Sequence, residues 1–324
     1  MTQSLCKILR HPIPLRMSNC QRKGVVLTPA SILGLLARLG LQALGSFDGQ
    51  SVFPLLYVQG LGCFVMGICL RLKEPLGQFY GPLYTALTTG FCGSLTTFSG
   101  WQFDIFGAWI NAGGYRRGNL SNAVDGIGIS LVTLTLSLGS LVFGFNCASL
   151  VAQKLTFPKF PSWWQRYAIS LLSALMYGAA IVAYFVLPKR YRHQATAALI
   201  FSYPGTLTRY LLSILLNPRY PYLPSGTLAA NTFGSALLAA SHVLQGVNPP
   251  VSPNACSILL GLVDGYCGCL TTVSTFAAEI YDLEWWKGCR YVLLSWGLGQ
   301  LMMVTIFGIP QWSGHVSNHV TCIM

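Results

Sequence analysis

Two stretches of this 324-residue chain, GFCGSLTTFS at 90–99 and GYCGCLTTVS at 265–274, carry the residue types best suited to ion chemistry. Glycine and β-branched threonine make each stretch a poor helix, and both lie inside long apolar runs. Interrupted backbone at membrane depth is tolerated only where protein buries it or a wet cavity meets it. Carbonyls released there can coordinate a cation, while released N–H groups and hydroxyls can donate to an anion. Neither stretch holds Lys or Arg, so a bound anion would meet neutral donors and could leave again. Close helix packing through small residues is the competing reading; that the motif occurs twice weakens it.

The elements around these stretches follow from composition. Only 9% of residues are charged and 53% are hydrophobic, against about a quarter charged in soluble domains. Lipid must cover most of such a chain. The formal net charge of +12 resides in loops and the N-terminal region, which suits topology control and anionic headgroups rather than nucleic acid. A span needs about 20 apolar residues. Nine candidates stand near 28–46, 51–70, 82–109, 127–150, 167–187, 195–216, 225–244, 255–282 and 291–308. Residues 1–27 have no signal-peptide core and read as a retained cytosolic tail. With that tail inside, thirteen Lys and Arg fall on the cytosolic side and five outside, as the positive-inside bias requires. The sequon Asn119-Leu120-Ser121 then lies outside, where glycosylation is possible. The eleven cysteines lack zinc spacing and read as small buried hydrophobes. The histidines suggest no metal site.

The two halves superpose. At an offset of 175, Gly90, Cys92, Gly93, Leu95, Thr96, Thr97 and Ser99 match Gly265, Cys267, Gly268, Leu270, Thr271, Thr272 and Ser274, and Asp104 matches Glu279. Gly34-x-x-x-Arg38 recurs as Gly205-x-x-x-Arg209, and Gln59-x-x-Gly62 as Asn231-x-x-Gly234, at offsets of 171 and 172. A nearly constant offset through three spans indicates duplication. Residues 28–150 form one four-helix unit and 195–308 a second; 151–194 is a linker carrying span five, and 309–324 a C-terminal tail. Four spans return the chain to its starting side and the fifth carries it across. The expected fold is therefore an all-α polytopic membrane protein of nine transmembrane helices, two inverted four-helix repeats joined by a linker helix. Its functional sites are expected near the midplane, between the repeats.

With GFCGSLTTFS, its copy GYCGCLTTVSTF, and the two paired motifs in the same order, the chain resembles fluoride channels of the CrcB/Fluc type, in the fused eukaryotic form of the FEX exporters. The resemblance covers roughly 28–308. It implies a channel that lets fluoride leave the cytosol passively through the plasma membrane, the C-terminus being extracellular and the monomer a fused pseudo-dimer. It implies a structural sodium ion held by backbone carbonyls of Gly93, Thr96, Gly268 and Thr271. It also implies pores lined by two phenylalanines, one from either unit. Phe98 and Phe276 are kept, but their counterparts are Val273 and Trp101; the pore asparagine is kept as Asn231 and replaced by Gln59. One working pore is expected, beside a degraded twin. Fluoride holds its water tightly, so a pore must substitute donors: the Asn231 amide, the hydroxyls of Thr97, Ser99, Thr272, Ser274 and Thr275, and aromatic ring edges, which are partly positive. Arg38 and Arg209 are expected at the vestibules drawing anions in, against the plainer reading of snorkelling to the interface.

Asp104 and Glu279 read as structural carboxylates closing the repeated helices, and Asp264 as vestibule lining. Ser295 and Thr135 are candidates to extend the hydroxyl track, although helical Ser and Thr usually bond their own backbone. Trp285 and Trp286 read as an interfacial belt. The alternative function on this scaffold is a proton-coupled anion transporter, for which only Asp264 and His242 offer titratable groups in the path. No nucleophile with a base, and no paired carboxylates, stand in the spans, so catalysis is not expected.

Overall fold

Backbone that runs through lipid has only its own groups to bond with, and the helix satisfies them within one segment. The computed structural model describes residues 19–46, 53–152, 162–187, 194–220, 222–314, 316–317 and 321. Among them the chain is helical nearly throughout, and its β pairing is one isolated bridge between Val247 and Val316. The helices are α1 (Asn19–Gly45), α2 (Leu56–Arg71), α3 (Lys73–Thr85), α4 (Phe98–Trp109), α5 (Asn119–Ala152), α6 (Trp163–Val186), α7 (Gln194–Leu216), α8 (Ser225–Gln245), α9 (Pro253–Gly261), α10 (Ser274–Asp282) and α11 (Trp285–Met302). α3 runs on through a π-helical turn, Ala86–Cys92, and a short turn, Gly93–Leu95; α9 does the same through Leu262–Cys267 and Gly268–Leu270.

Six helices, counted with their continuations, are long and apolar enough to cross a membrane, and a seventh is reached by joining Leu56–Arg71 to Lys73–Trp109, which are bent 107° apart. The chain is thus a polytopic membrane protein, with six or seven such helices where nine spans were expected. Two departures account for most of the difference. α2 has 16 residues, and α8 gives its buried face to Gly226, Thr227, Asn231, Ser235 and Ser241. A helix sheltered by others need not be apolar all round. Boundaries shift too. α1 starts at Asn19 rather than 28, and Arg22, assigned to the tail, is buried in it with its guanidinium 5.8 Å from the Tyr167 ring. The last helix continues through Met303–Gly308 to Trp312. Tail residues 1–18, and Lys154, Lys159, Lys189, Arg190 and Arg192 of the orientation argument, lie outside the described residues.

Packing interlocks the two halves. α1 packs on the first π-helical turn and α7 on the second, while α1 and α7 pack on each other. α4 reaches across to α8 and α11, and α10 reaches back to α2 and α5. α6 rests against α1 and α7 and turns Leu171, Leu172, Leu175 and Phe185 outward, as a peripheral lipid-facing helix should.

Candidate functional site

Both repeated stretches break at the same residue. Thr96 has φ −85°, ψ 150° and Thr271 has φ −86°, ψ 153°, extended backbone that ends one helix and lets the next begin at Phe98 or Ser274. The break takes the Thr96 and Thr271 carbonyls out of the helical ladder. It also leaves the first N–H groups of α4 and α10 without intrahelical partners.

Those donors are met across the molecule. Thr271 Oγ1 accepts from the N–H groups of Phe98 and Ser99, each at 3.1 Å. Reciprocally, Thr96 Oγ1 accepts from Val273 at 3.3 Å and Ser274 at 3.0 Å. Each half therefore supplies the N-terminal cap of the other half's helix. The hydroxyls join into a buried network: Thr97 with Thr271 at 3.1 Å, Thr96 with Thr272 at 3.1 Å and with Ser274 at 3.0 Å, and Ser99 with Thr271 at 3.0 Å. Thr97 and Thr272 also accept from Gly100 and Thr275 N–H of their own helices. Gly62 and Gly234 lie against the methyls of Thr96 and Thr271, with no room for a Cβ. That explains the glycine in the Gln59 and Asn231 motifs, whose amides clamp the same breaks. Asn231 accepts from Thr272 N–H at 2.9 Å and donates to Thr272 O at 3.2 Å; Gln59 donates to Thr97 O at 2.7 Å.

Phe98 and Phe276 meet edge to face, ring centroids 5.6 Å apart, and neither is exposed. Phe276 also packs edge-on to Tyr291 at 5.0 Å. The Tyr291 hydroxyl donates to Glu279 Oε2 at 2.7 Å, and Thr227 and Asn217 donate to Oε1 at 2.6 and 3.3 Å. Ser295, one turn further along α11, is buried. Nothing in the sequence marks Thr227 or Tyr291, and Asn217 reads there only as a turn residue before Pro218. In the other half Trp101, Leu55 and Ile129 stand where Phe276, Thr227 and Tyr291 do, and they bring no hydroxyl. Trp101 meets Ile129 there, its indole N–H donating to Ile129 O at 3.4 Å, and Leu55 stands four residues before Gln59 as Thr227 does before Asn231. The Asp104 carboxylate has no partner among the described residues.

The arginines are not snorkelling. Each is 1% exposed. Arg38 donates to Gly268 O at 2.7 Å and to Asp264 O, carbonyls of the opposite half. Arg209 donates to Thr89 O at 2.8 Å in the opposite half and to Cys269 O at 3.0 Å in its own. Gly93 and Gly268 lie flush against these guanidinium groups. The guanidinium forks thus tie down carbonyls of both π-helical turns, Asp264 and Thr89, and of the short turn after the second, Gly268 and Cys269. Arg38 also lines a cavity of about 210 Å³ with Asp104, His242 and Asp264, and His242 stacks on Phe103 at 4.0 Å. Thr135 leaves the track: it is exposed and bonds Leu131 O at 2.7 Å in its own helix. Cys63, Cys69, Cys92, Cys267 and Cys269 are buried free thiols.

Comparison with known proteins places this geometry. The family model for CrcB-like protein, Camphor Resistance (CrcB), matches residues 25–147 and 196–309. The chain is 32% identical over 299 residues to fluoride export protein 1 of Schizosaccharomyces pombe, covering 88% of this chain and 94% of that protein. It is 31% identical over 345 residues to fluoride export protein 1 of Neurospora crassa, covering 87% of this chain. There it spans only 65% of the relative's length, under two thirds. Over 110 residues it is 34% identical to the fluoride-specific ion channel FluC of Chromobacterium violaceum, covering 33% of this chain and 85% of that protein. No solved structure matches the chain.

Proposed function

Because the chain belongs to the CrcB-like protein family, we propose that it is a fluoride-selective channel, exporting fluoride passively from the cytosol through one pore between its halves. Its work is transport rather than catalysis, and the ion is the one that its relatives' names state. The observation that carries the single-pore reading is the Phe98–Phe276 pair, one ring from each half, continuous with Tyr291 and the donors around Glu279. Ring edges give a partial positive surface that binds an anion weakly. Hydroxyl rotors of Thr97, Ser99, Thr272, Ser274, Thr275 and Ser295 turn to suit their partner, and with Asn231 they replace water around the ion. In place of Phe98, Phe276, Tyr291 and Thr227 the twin side has Val273, Trp101, Ile129 and Leu55, which hold no such donors apart from an indole N–H already bonded to Ile129.

The layout accompanying this reading is two inverted four-helix repeats, 28–150 and 195–308, with α6 as linker and nine crossings. Its support is the reciprocity of the caps and arginines, which a two-fold axis between the halves would produce. In this reading the N-terminus is cytosolic and the C-terminus outside, in the plasma membrane, with a single chain doing the work of a dimer; the Lys and Arg bias of the loops supports the orientation.

A sodium ion would sit between the breaks, held by carbonyls of Gly93, Thr96, Gly268 and Thr271. The donor set fits a hard cation, being oxygen alone, and the Gly93–Leu95 and Gly268–Leu270 turns pack on each other. The Gly268 carbonyl would be shared, since it also accepts from Arg38. There the ion would hold the breaks together.

The test is efflux of fluoride from liposomes reconstituted with the protein, driven by a fluoride gradient alone with equal pH on both sides. Fast efflux is expected. Efflux that requires a proton gradient would overturn the channel reading in favour of coupled transport.

A further inference from the structure

A cavity of about 450 Å³ opens beside Tyr291, bordered by Tyr222, Leu223, Lys287 and Arg290. Tyr291 connects it to the Phe276 ring and to Glu279. Lys287 lies with its ammonium 4.5 Å from the Tyr222 ring centroid and 2.9 Å from Glu284, whose side chain is 77% exposed. Arg290 is exposed, and among the described residues no carboxylate pairs with it. Two cations thus face this cavity, with one well-hydrated anion behind them.

The other half provides an internal control. Lys287 stands four residues before Tyr291; four residues before Ile129 stands Asp125. Asp125 pairs with Arg117 at 2.7 Å, and the cavity there, about 620 Å³, contains Asp104 as well. The linings therefore differ in sign: Lys287 and Arg290 line the cavity on the Phe98–Phe276 side, with Glu279 behind Tyr291 and Glu284 solvated beyond Lys287, whereas Asp104 and Asp125 with one cation, Arg117, line the other.

The geometry points to Lys287 and Arg290 as the anion-collecting mouth of the conducting pore, a site for small hydrated anions that is absent from the twin opening. The inference rests on the fluoride-channel reading above. Charges on low-dielectric walls focus the field and raise the local concentration of the opposite ion. Placed outside the narrow segment, they do so without trapping the ion at the phenylalanines. Such steering depends on salt, since the Debye length falls from about 30 Å at 0.01 M to about 3 Å at 1 M.

The experiment is fluoride efflux from liposomes holding the full chain, measured in an impermeant salt at both ionic strengths. The double variant Lys287→Gln, Arg290→Gln should be about five- to tenfold slower than the parent at low salt and equal to it at high salt. The charge-keeping variant Lys287→Arg, Arg290→Lys should follow the parent at both, and so should Arg117→Gln. Equal rates at low salt, or slowing by the same factor at both strengths, would overturn the proposal. A parent protein with no fluoride efflux would instead overturn the channel reading itself.

Discussion

Three donors converge on Glu279, and one of them, Tyr291, also touches the phenylalanine pair. A hydrogen bond contributes about 0.5–1.5 kcal/mol, and about 1.5–3 kcal/mol when its acceptor is charged, and a factor of ten in rate is about 1.4 kcal/mol. Tyr291→Phe is therefore expected to slow fluoride efflux about tenfold while the protein stays folded; efflux at the parent rate would remove Tyr291 from the path. Of this cluster only Glu279 was legible in the repeat, as the partner of Asp104. Asn217, Thr227 and Tyr291 lie in ordinary helical or turn sequence, and superposing the halves cannot flag them because the twin positions have diverged, Thr227 to Leu55 and Tyr291 to Ile129. The arginines were legible as unusual but not in role. A sequence shows a cation in an apolar run, whereas only the packed halves show that Arg38 and Arg209 bond Asp264 O and Thr89 O, carbonyls of the opposite π-helical turn.

Broken helices are held by side chains that belong to another helix. Replacing an N-cap threonine costs about 0.5–2 kcal/mol, and here each threonine serves two buried N–H groups from the other half. Thr96→Val and Thr271→Val are each expected to lower stability by about 2 kcal/mol or more, since a buried unsatisfied donor costs about 1–3 kcal/mol. Denaturant unfolding in detergent micelles measures this, and Thr96→Ser should recover most of the loss. Unchanged midpoints for the valine variants would show that the caps are dispensable. Gly234→Ala should be harsher than a surface change, because a methyl there overlaps the Thr271 methyl; a variant as stable as its parent would contradict the close approach. The positions of both breaks were readable from glycine and threonine chemistry, and so was the pairing of the halves. The number of long apolar helices was not, because α2 and α8 are sheltered by neighbours and carry short or polar-faced segments.

At the scale of the whole molecule, duplicated halves hold one shared scaffold and two unequal sides. Caps, amide clamps and buried arginines are kept in both halves, since both breaks need them. The aromatic pair, the carboxylate cluster and the charge of the opening are kept on one side only. The proposed orientation puts the Gly113–Gly114 loop outside and the Tyr222 turn inside. An epitope inserted at the first should stain on intact cells and one at the second only after permeabilisation; the reverse pattern would invert the topology. The central claim is that fluoride passes only along the Phe98–Phe276 side. Its most direct test is the fluoride efflux rate of reconstituted Phe98→Ile, Phe276→Ile, Val273→Ile and Trp101→Phe proteins, measured side by side. Loss to the protein-free rate for the first two and near-parent rates for the last two are predicted. Abolition of efflux by Val273→Ile or Trp101→Phe, as complete as that by the phenylalanine variants, would contradict it.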